Sequence, residues 1–255
     1  MRKIKLLLEY DGTAFEGWQI QKKGSTIQGI LEDRIVKVTG EQSRVIGASR
    51  TDAGVHALGQ VAAFRTGSRL DTETIRRALN ALLPVDIRIL ETSEVSNSFH
   101  PRYSSLRKSY FYVIANQRES SVFFYKYVYT IRQPLDLKLM TEALPVLAGK
   151  HDFSSFKGSG SCSRNPVREI FSLNIERFEK FDFLTLSVKG NFIKIRIEAD
   201  SFLRHMVRNI VGTLVEVGRG KFSPDKVKEI LESRDRRRAG PTAPPNGLFL
   251  EKIIY

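Results

Sequence analysis

The chain has 255 residues, 41% of them hydrophobic, with 41 Lys and Arg against 28 Asp and Glu for a formal net charge of +13. That is enough apolar material for one large or two small cores, and no apolar run approaches membrane-spanning length. A single cysteine, Cys162, excludes an intrachain disulfide framework and fits a reducing compartment, while the charge points to an anionic partner, most often nucleic acid.

The first residues lead directly into a strand pattern, with Ile4, Leu6 and Leu8 alternating with Lys3, Lys5 and Glu9 through Tyr10. No signal peptide is expected, and the chain reads as soluble and cytoplasmic. Asp11-Gly12-Thr13 breaks the strand. The loop from Ala14 to Gly24 carries Phe15, Trp18, Gln19 and Gln21. Such side chains can stack on bases and bond to them, although Trp18 is better read as a plug at the core edge. A helix follows on Ile27, Ile30, Leu31, Ile35 and Val38, capped by Ser25 or Thr26 and ended by Gly40.

Next come two apolar runs around the segment Gly47 to Ala57. They predict a strand, a tight loop and a second strand. The loop holds Asp52 between Arg50 and Gly54. Spacing alone favours an Asx-type turn with a surface arginine. The functional alternative is a carboxylate kept ionised by Arg50 on a rigid loop, suited to act as nucleophile or general base. Asp71 then caps a helix on Ile75, Ala78, Leu79, Leu82 and Leu83, stopped by Pro84, and Asp86 to Glu91 alternates as a strand. Strand, helix, strand, strand, helix, strand is the split βαβ, ferredoxin-like order.

Asn97 to Lys108 reads as the hinge between two halves, 1–104 and 105–255. The second half opens on the strand Ser109 to Ile114, where alternation is expected to turn one of Tyr110 and Tyr112 into the core. Val122 to Tyr129 is aromatic-rich, a strand or a lid. A helix is predicted through Leu137, Met140, Leu144 and Leu147 to Gly149. The Gly- and Ser-rich stretch from Lys157 through Arg164 to Pro166 is a linker or a phosphate-contacting loop, with Lys157 and Arg164 as candidate substrate contacts. Three strands are expected near Val167–Phe178, Phe183–Val188 and Phe192–Ala199, the last two joined across Lys189-Gly190-Asn191. One helix should begin at the Phe202-Leu203 pair and end at Gly218, with Arg204 and Arg208 one turn apart on its polar side. A short helix after Pro224, the run Arg234 to Arg238 and a closing strand from Leu248 complete the chain. The four histidines are scattered, so a structural zinc site is not expected.

The fold class is therefore α+β: two ferredoxin-like halves forming a central antiparallel sheet, with helices on one face and a basic cleft between the halves. Tyr10-Asp11-Gly12-Thr13, Gly17-Trp18-Gln19, Arg50 to Ala57, His151 to Phe156 and Met206 to Gly212, in that order, resemble the tRNA pseudouridine synthase A family over nearly the whole length. The resemblance implies an enzyme that isomerises uridine to pseudouridine at positions 38, 39 and 40 of the tRNA anticodon stem-loop. It implies a homodimer that needs no cofactor or metal. It also implies roles: Asp52 as the catalytic aspartate, Arg50 as its partner and an aid to base flipping, Tyr110 stacked on the target base, and Arg208 paired with the aspartate. Arg204 joins Lys157 and Arg164 as a candidate RNA contact. A non-catalytic RNA-binding module or chaperone is the alternative, and a metal nuclease would need clustered carboxylates that are missing near Asp52.

Overall fold

A computed structural model describes the chain apart from residues 161–163 and 184 and the side chains of Phe183 and Leu186, so Cys162 lies outside the described residues. Two compact units emerge, Met1–Lys108 with Phe249–Tyr255, and Ser109–Leu248. The sequence alone places the division at 104, with everything beyond it in the second half.

The first unit runs β1 (Arg2–Tyr10), α1 (Ile27–Thr39), β2 (Ile46–Gly47), β3 (His56–Thr66), α2 (Thr72–Leu82) and β4 (Ile87–Val95). β1 lies between β4 and β3, antiparallel to both, and β2 pairs antiparallel with the far edge of β3. Ile4, Leu6 and Leu8 are fully buried, as are Ile27, Leu31 and Ile35 on α1 and Ile75 and Leu79 on α2. Burying these aliphatic side chains is the main force holding the unit, at about 1.5–3 kcal/mol each. Both helices start where the caps predict. Thr26 and Asp71 accept from the backbone N–H groups of Gly29 and Thr74, and Gly40 closes α1 at φ +74°.

The second unit runs β5 (Arg107–Ala115, its first two residues in the first unit), β6 (Tyr129–Thr130), α3 (Leu137–Glu142), β7 (Gly149–Asp152), β8 (Val167–Phe183), β9 (Leu186–Ala199), α4 (Met206–Gly218) and α5 (Pro224–Ser233). Its sheet order is β5-β9-β8-β7, with β6 parallel to β5. The last strand, β10 (Leu248–Ile254), lies parallel to β3 in the first unit, placing Phe249 opposite His56 and Leu250 opposite Ala57. Among the described residues, no helix is long and apolar enough to cross a membrane.

Five local expectations are corrected. The helix expected from Leu137 to Gly149 is only α3, because Pro145 interrupts it and opens a one-turn 3-10 helix. The three expected strands are two long ones, β8 and β9. Lys189-Gly190-Asn191 is strand, not turn: Asn191 bonds to Asn116 through both backbone and side chain. A Cβ at Gly190 would meet Gln117 and the Phe192 ring within 2.7 Å, so close approach explains the glycine. Phe202-Leu203 precede α4, since His205 sits at φ +60° and breaks the helical run before Met206. Arg204 is therefore outside the helix and shares no helical face with Arg208. Finally, Tyr110 and Tyr112 are two residues apart on one strand and so share a face. Both are buried, at 5% and 0% exposure. The aromatic segment is a 3-10 turn, Tyr125–Tyr127, leading into β6. Its Phe124 packs edge-on against Phe181 and Phe192.

Candidate active site

Asp52 lies on the loop between β2 and β3 and is half-buried; Arg50 is exposed. The loop is held on several sides by groups of the same unit. Its base is fixed by Ala48 N–H donating to the Val61 carbonyl at 2.8 Å, and by the Lys108 ammonium donating to the Ala48 carbonyl at 2.7 Å. Lys108 is itself 5% exposed, so a lysine predicted as a hinge cation is a buried anchor.

Gln60 is the next tie. This amide is fully buried on β3. It accepts from Ser49 N–H at 3.2 Å and donates to the Ser49 carbonyl at 2.8 Å. It also donates to the Tyr10 hydroxyl at 3.3 Å, and that hydroxyl bonds with Thr51 Oγ1 at 2.8 Å. The Gln60 side chain thus takes the place of a strand partner for Ser49, three residues before Asp52. Burial pushes the Tyr10 phenol up to about 12, its bonds to Thr51 and Gln60 opposing the shift only in part. The hydroxyl therefore stays protonated and serves as a hydrogen-bonding strut.

The far side of the loop rests on the turn after β1. Trp18 N–H donates to the Thr51 carbonyl at 3.0 Å, and Gly54 N–H to the Phe15 carbonyl at 3.3 Å. Gly12 N–H donates to His56 Nδ1 at 3.0 Å, just beyond the loop. The carbonyls of Gly17 and Trp18 accept from Ile27 and Gln28, two backbone donors that the first turn of α1 leaves without helical partners. α1 therefore fixes the turn, and the turn fixes the Asp52 loop.

Close approach demands glycine here. A Cβ at Gly17, which sits at φ +89°, would lie 2.6 Å from the Thr51 carbonyl oxygen and 2.9 Å from the Asp52 carbonyl carbon. Trp18 is 2% exposed, a core plug as read from the sequence, with Gly47 making room for its indole. Gln19 donates to the Gln28 side-chain carbonyl at 3.0 Å, and the exposed Gln21 donates to the Glu16 carbonyl at 2.7 Å.

In the second unit, Tyr110 packs edge-on against Phe202, with ring centres 5.2 Å apart. Arg208, half-buried on α4, donates through Nε to the Ala243 carbonyl at 2.7 Å, and Ala243 N–H returns a bond to the Arg208 carbonyl. Gly212, one turn on, lets Pro241 cross the helix so closely that a Cβ would fall 1.7 Å from the Pro241 oxygen. The segment from Gly240 to Pro244 thereby clamps Arg208, and the Pro244 carbonyl accepts from Tyr112 at 2.7 Å. Burial raises the Tyr112 phenol well above its ordinary value, with the Arg208 charge pulling the other way. Arg204 is exposed and donates to the Ser159 carbonyl at 3.0 Å; Arg164 is exposed and Lys157 half-buried. The charge run is partly structural. Arg237 chelates Asp235, whose carboxyl it holds at about 2, and Arg236 reaches Asn209 and Thr242.

Gln60, Tyr10, Gly17 and Lys108 were given no site role from the sequence. The signal for Gln60 was present: it is a lone amide leading an apolar run of strand, Val61-Ala62-Ala63-Phe64.

Comparison with known proteins bears on this arrangement. The family model described as tRNA pseudouridine synthase matches residues 7–104 and 143–255. A protein of Thermoanaerobacter pseudethanolicus named tRNA pseudouridine synthase A is 48% identical over 255 residues, covering all of both chains. One of the same name from Thermodesulfovibrio yellowstonii is 45% identical, and tRNA pseudouridine synthase A 2 of Clostridium perfringens is 46% identical, again over the full length of both chains.

Proposed function

Because the chain belongs to the tRNA pseudouridine synthase family, we propose that it isomerises uridine to pseudouridine at positions 38, 39 and 40 of the tRNA anticodon stem-loop, with Asp52 as the reacting carboxylate. The observation that carries this assignment is the investment in one loop: a buried amide, a buried phenol, a buried lysine and two close-packed glycines all fix the backbone next to a half-buried carboxylate. A structural Asx turn needs none of that support. A purely RNA-binding module would have no use for it.

The reaction cuts the bond from C1′ to N1 of uracil, turns the ring and rejoins it through C5. The carboxylate of Asp52 acts by adding to C6 of the ring, adding to C1′, or taking the proton from C2′. Each route requires an anion held still relative to the sugar, and a rigid backbone supplies that at no cost during the reaction. The target nucleotide must first leave its stack, at a cost of a few kcal/mol, which contacts from basic side chains to the phosphates offset. Arg50 is exposed and takes the role of steering the nucleotide outward. Tyr110, its ring fixed against Phe202, stacks on the extruded base and is the candidate for moving the C5 proton. Arg208 pairs with the Asp52 carboxylate, and Arg204, Arg164 and Lys157 contact the RNA backbone.

In this reading the two halves, 1–104 and 105–255, are each of the split βαβ kind. They carry the catalytic loop and the rest of a basic RNA-binding cleft, and the enzyme works as a cytoplasmic homodimer without a cofactor. The test is release of tritium from tRNA labelled at C5 of uridine, since only rejoining through C5 expels that proton. The wild type should release label without added cofactor and Asp52→Asn should not. Equal release by both would remove Asp52 from the chemistry.

A further inference from the structure

Tyr103 is 75% exposed, although it sits in one of the most tightly tied loops of the first unit. That loop is organised around His100. Its Nδ1 accepts from the backbone N–H groups of Arg102 and Tyr103, and its carbonyl accepts from Tyr103 and Ser104. The Ser104 hydroxyl accepts in turn from His100 N–H at 3.0 Å. The Pro101 carbonyl is pinned by the Tyr255 hydroxyl at 2.8 Å, and Leu106 N–H donates to the Ile254 carbonyl at 2.8 Å. An exposed aromatic ring normally moves freely. Here the backbone beneath it is bonded at nearly every residue.

The ring has two neighbours. The His100 imidazole lies 4.4 Å away at a 33° tilt, and the Arg102 guanidinium lies 5.6 Å from the ring centre. The residue as a whole is still three-quarters exposed. An exposed aromatic ring on a well-bonded backbone, beside an exposed cation, matches what an unpaired nucleobase and its own phosphate require: a π face to stack on and a positive charge within one side chain's reach.

We propose that Tyr103 is a stacking platform for an unpaired base of the bound tRNA, with Arg102 taking the phosphate of the same nucleotide. This is a second contact beyond Asp52, Arg50, Tyr110 and Arg208, and it rests on the tRNA reading above. It anchors a nucleotide that does not react.

The chain offers a direct probe, since Trp18 is the only tryptophan and is 2% exposed. Tyr103→Trp therefore installs a fluorophore at the platform over a shielded background. Titration with unmodified tRNA should quench the new emission and leave the wild-type emission nearly unchanged. Tyr103→Ala should weaken tRNA binding at least about 5-fold, the low end for loss of one base–aromatic stack, while Tyr103→Phe stays within about 2-fold of wild type. Both variants should melt with the wild type, because the ring is largely outside the core. No quench in Tyr103→Trp, together with wild-type affinity in Tyr103→Ala, overturns the proposal. Label release by the wild type on the same tRNA separates this from failure of the functional reading. Active wild type with indifferent Tyr103 variants sinks the platform alone, whereas wild type that neither binds nor releases label sinks both.

Discussion

Replacing Gly17 by Ala should damage catalysis out of proportion to its effect on folding. The added Cβ would sit 2.6 Å from the Thr51 carbonyl oxygen. Ordinary contact begins at 3.4 Å, so the Thr51–Asp52 peptide or the Gly17 turn must yield by about 0.8 Å, and a misplacement near 1 Å can cost about 100-fold in rate. Neither side yields freely: Trp18 N–H is bonded to that same carbonyl, and Gly17 O holds the first turn of α1. Ala at φ +89° adds roughly 1–2 kcal/mol of backbone strain. The expected result is a fall of about 10- to 100-fold in single-turnover label release. tRNA affinity should change by no more than about 3-fold, because binding is spread over many phosphates. Gly40→Ala is the control. Gly40 has a similar φ of +74°, yet nothing lies within 4 Å of its Cβ position. It should lose about 1 kcal/mol of stability and no activity. The reasoning fails if Gly17→Ala keeps the wild-type rate, or if both substitutions slow the enzyme equally.

Gln60→Leu strands the N–H and C=O of Ser49. It should lower stability by about 2–4 kcal/mol in denaturant titration and cut the rate of any protein that still folds; a variant as stable and active as wild type would dismiss Gln60 as a strut. The Tyr10 phenol is held up at about 12 by burial. Its contribution to stability is thus complete below pH 10, where the unfolded phenol titrates, and is lost as pH rises from 10 towards 12, by about 2–3 kcal/mol. Urea midpoints measured from pH 9 to 12 should fall more steeply for wild type than for Tyr10→Phe, and parallel slopes would count against the assignment.

Much of the first unit was legible because its signals are local. Thr26, Asp71 and Gly40 announce helix ends through their own side chains or φ preference, and the alternation of Ile4, Leu6 and Leu8 gives the buried face of β1 directly. The errors came where local rules meet tertiary demands. Gly190 resembles a turn residue but is glycine because Phe192 and Gln117 crowd it. Phe202-Leu203 continue a four-residue apolar repeat, but His205 in the left-handed region stops the helix short of them. The motif around Asp52 could be recognised, yet its support could not. Gln60, Tyr10 and Lys108 reach that loop from positions adjacent in space and 11 to 60 residues away in sequence, as their bonds to Ser49, Thr51 and Ala48 show.

The most direct test of the central claim is position-by-position pseudouridine mapping of unmodified tRNA after incubation with the wild type and with Asp52→Asn, with no metal or cofactor added. Pseudouridine at positions 38 to 40 with the wild type, and none with a variant that still binds tRNA, is the result expected. Pseudouridine elsewhere, or at the same positions with both proteins, would contradict it.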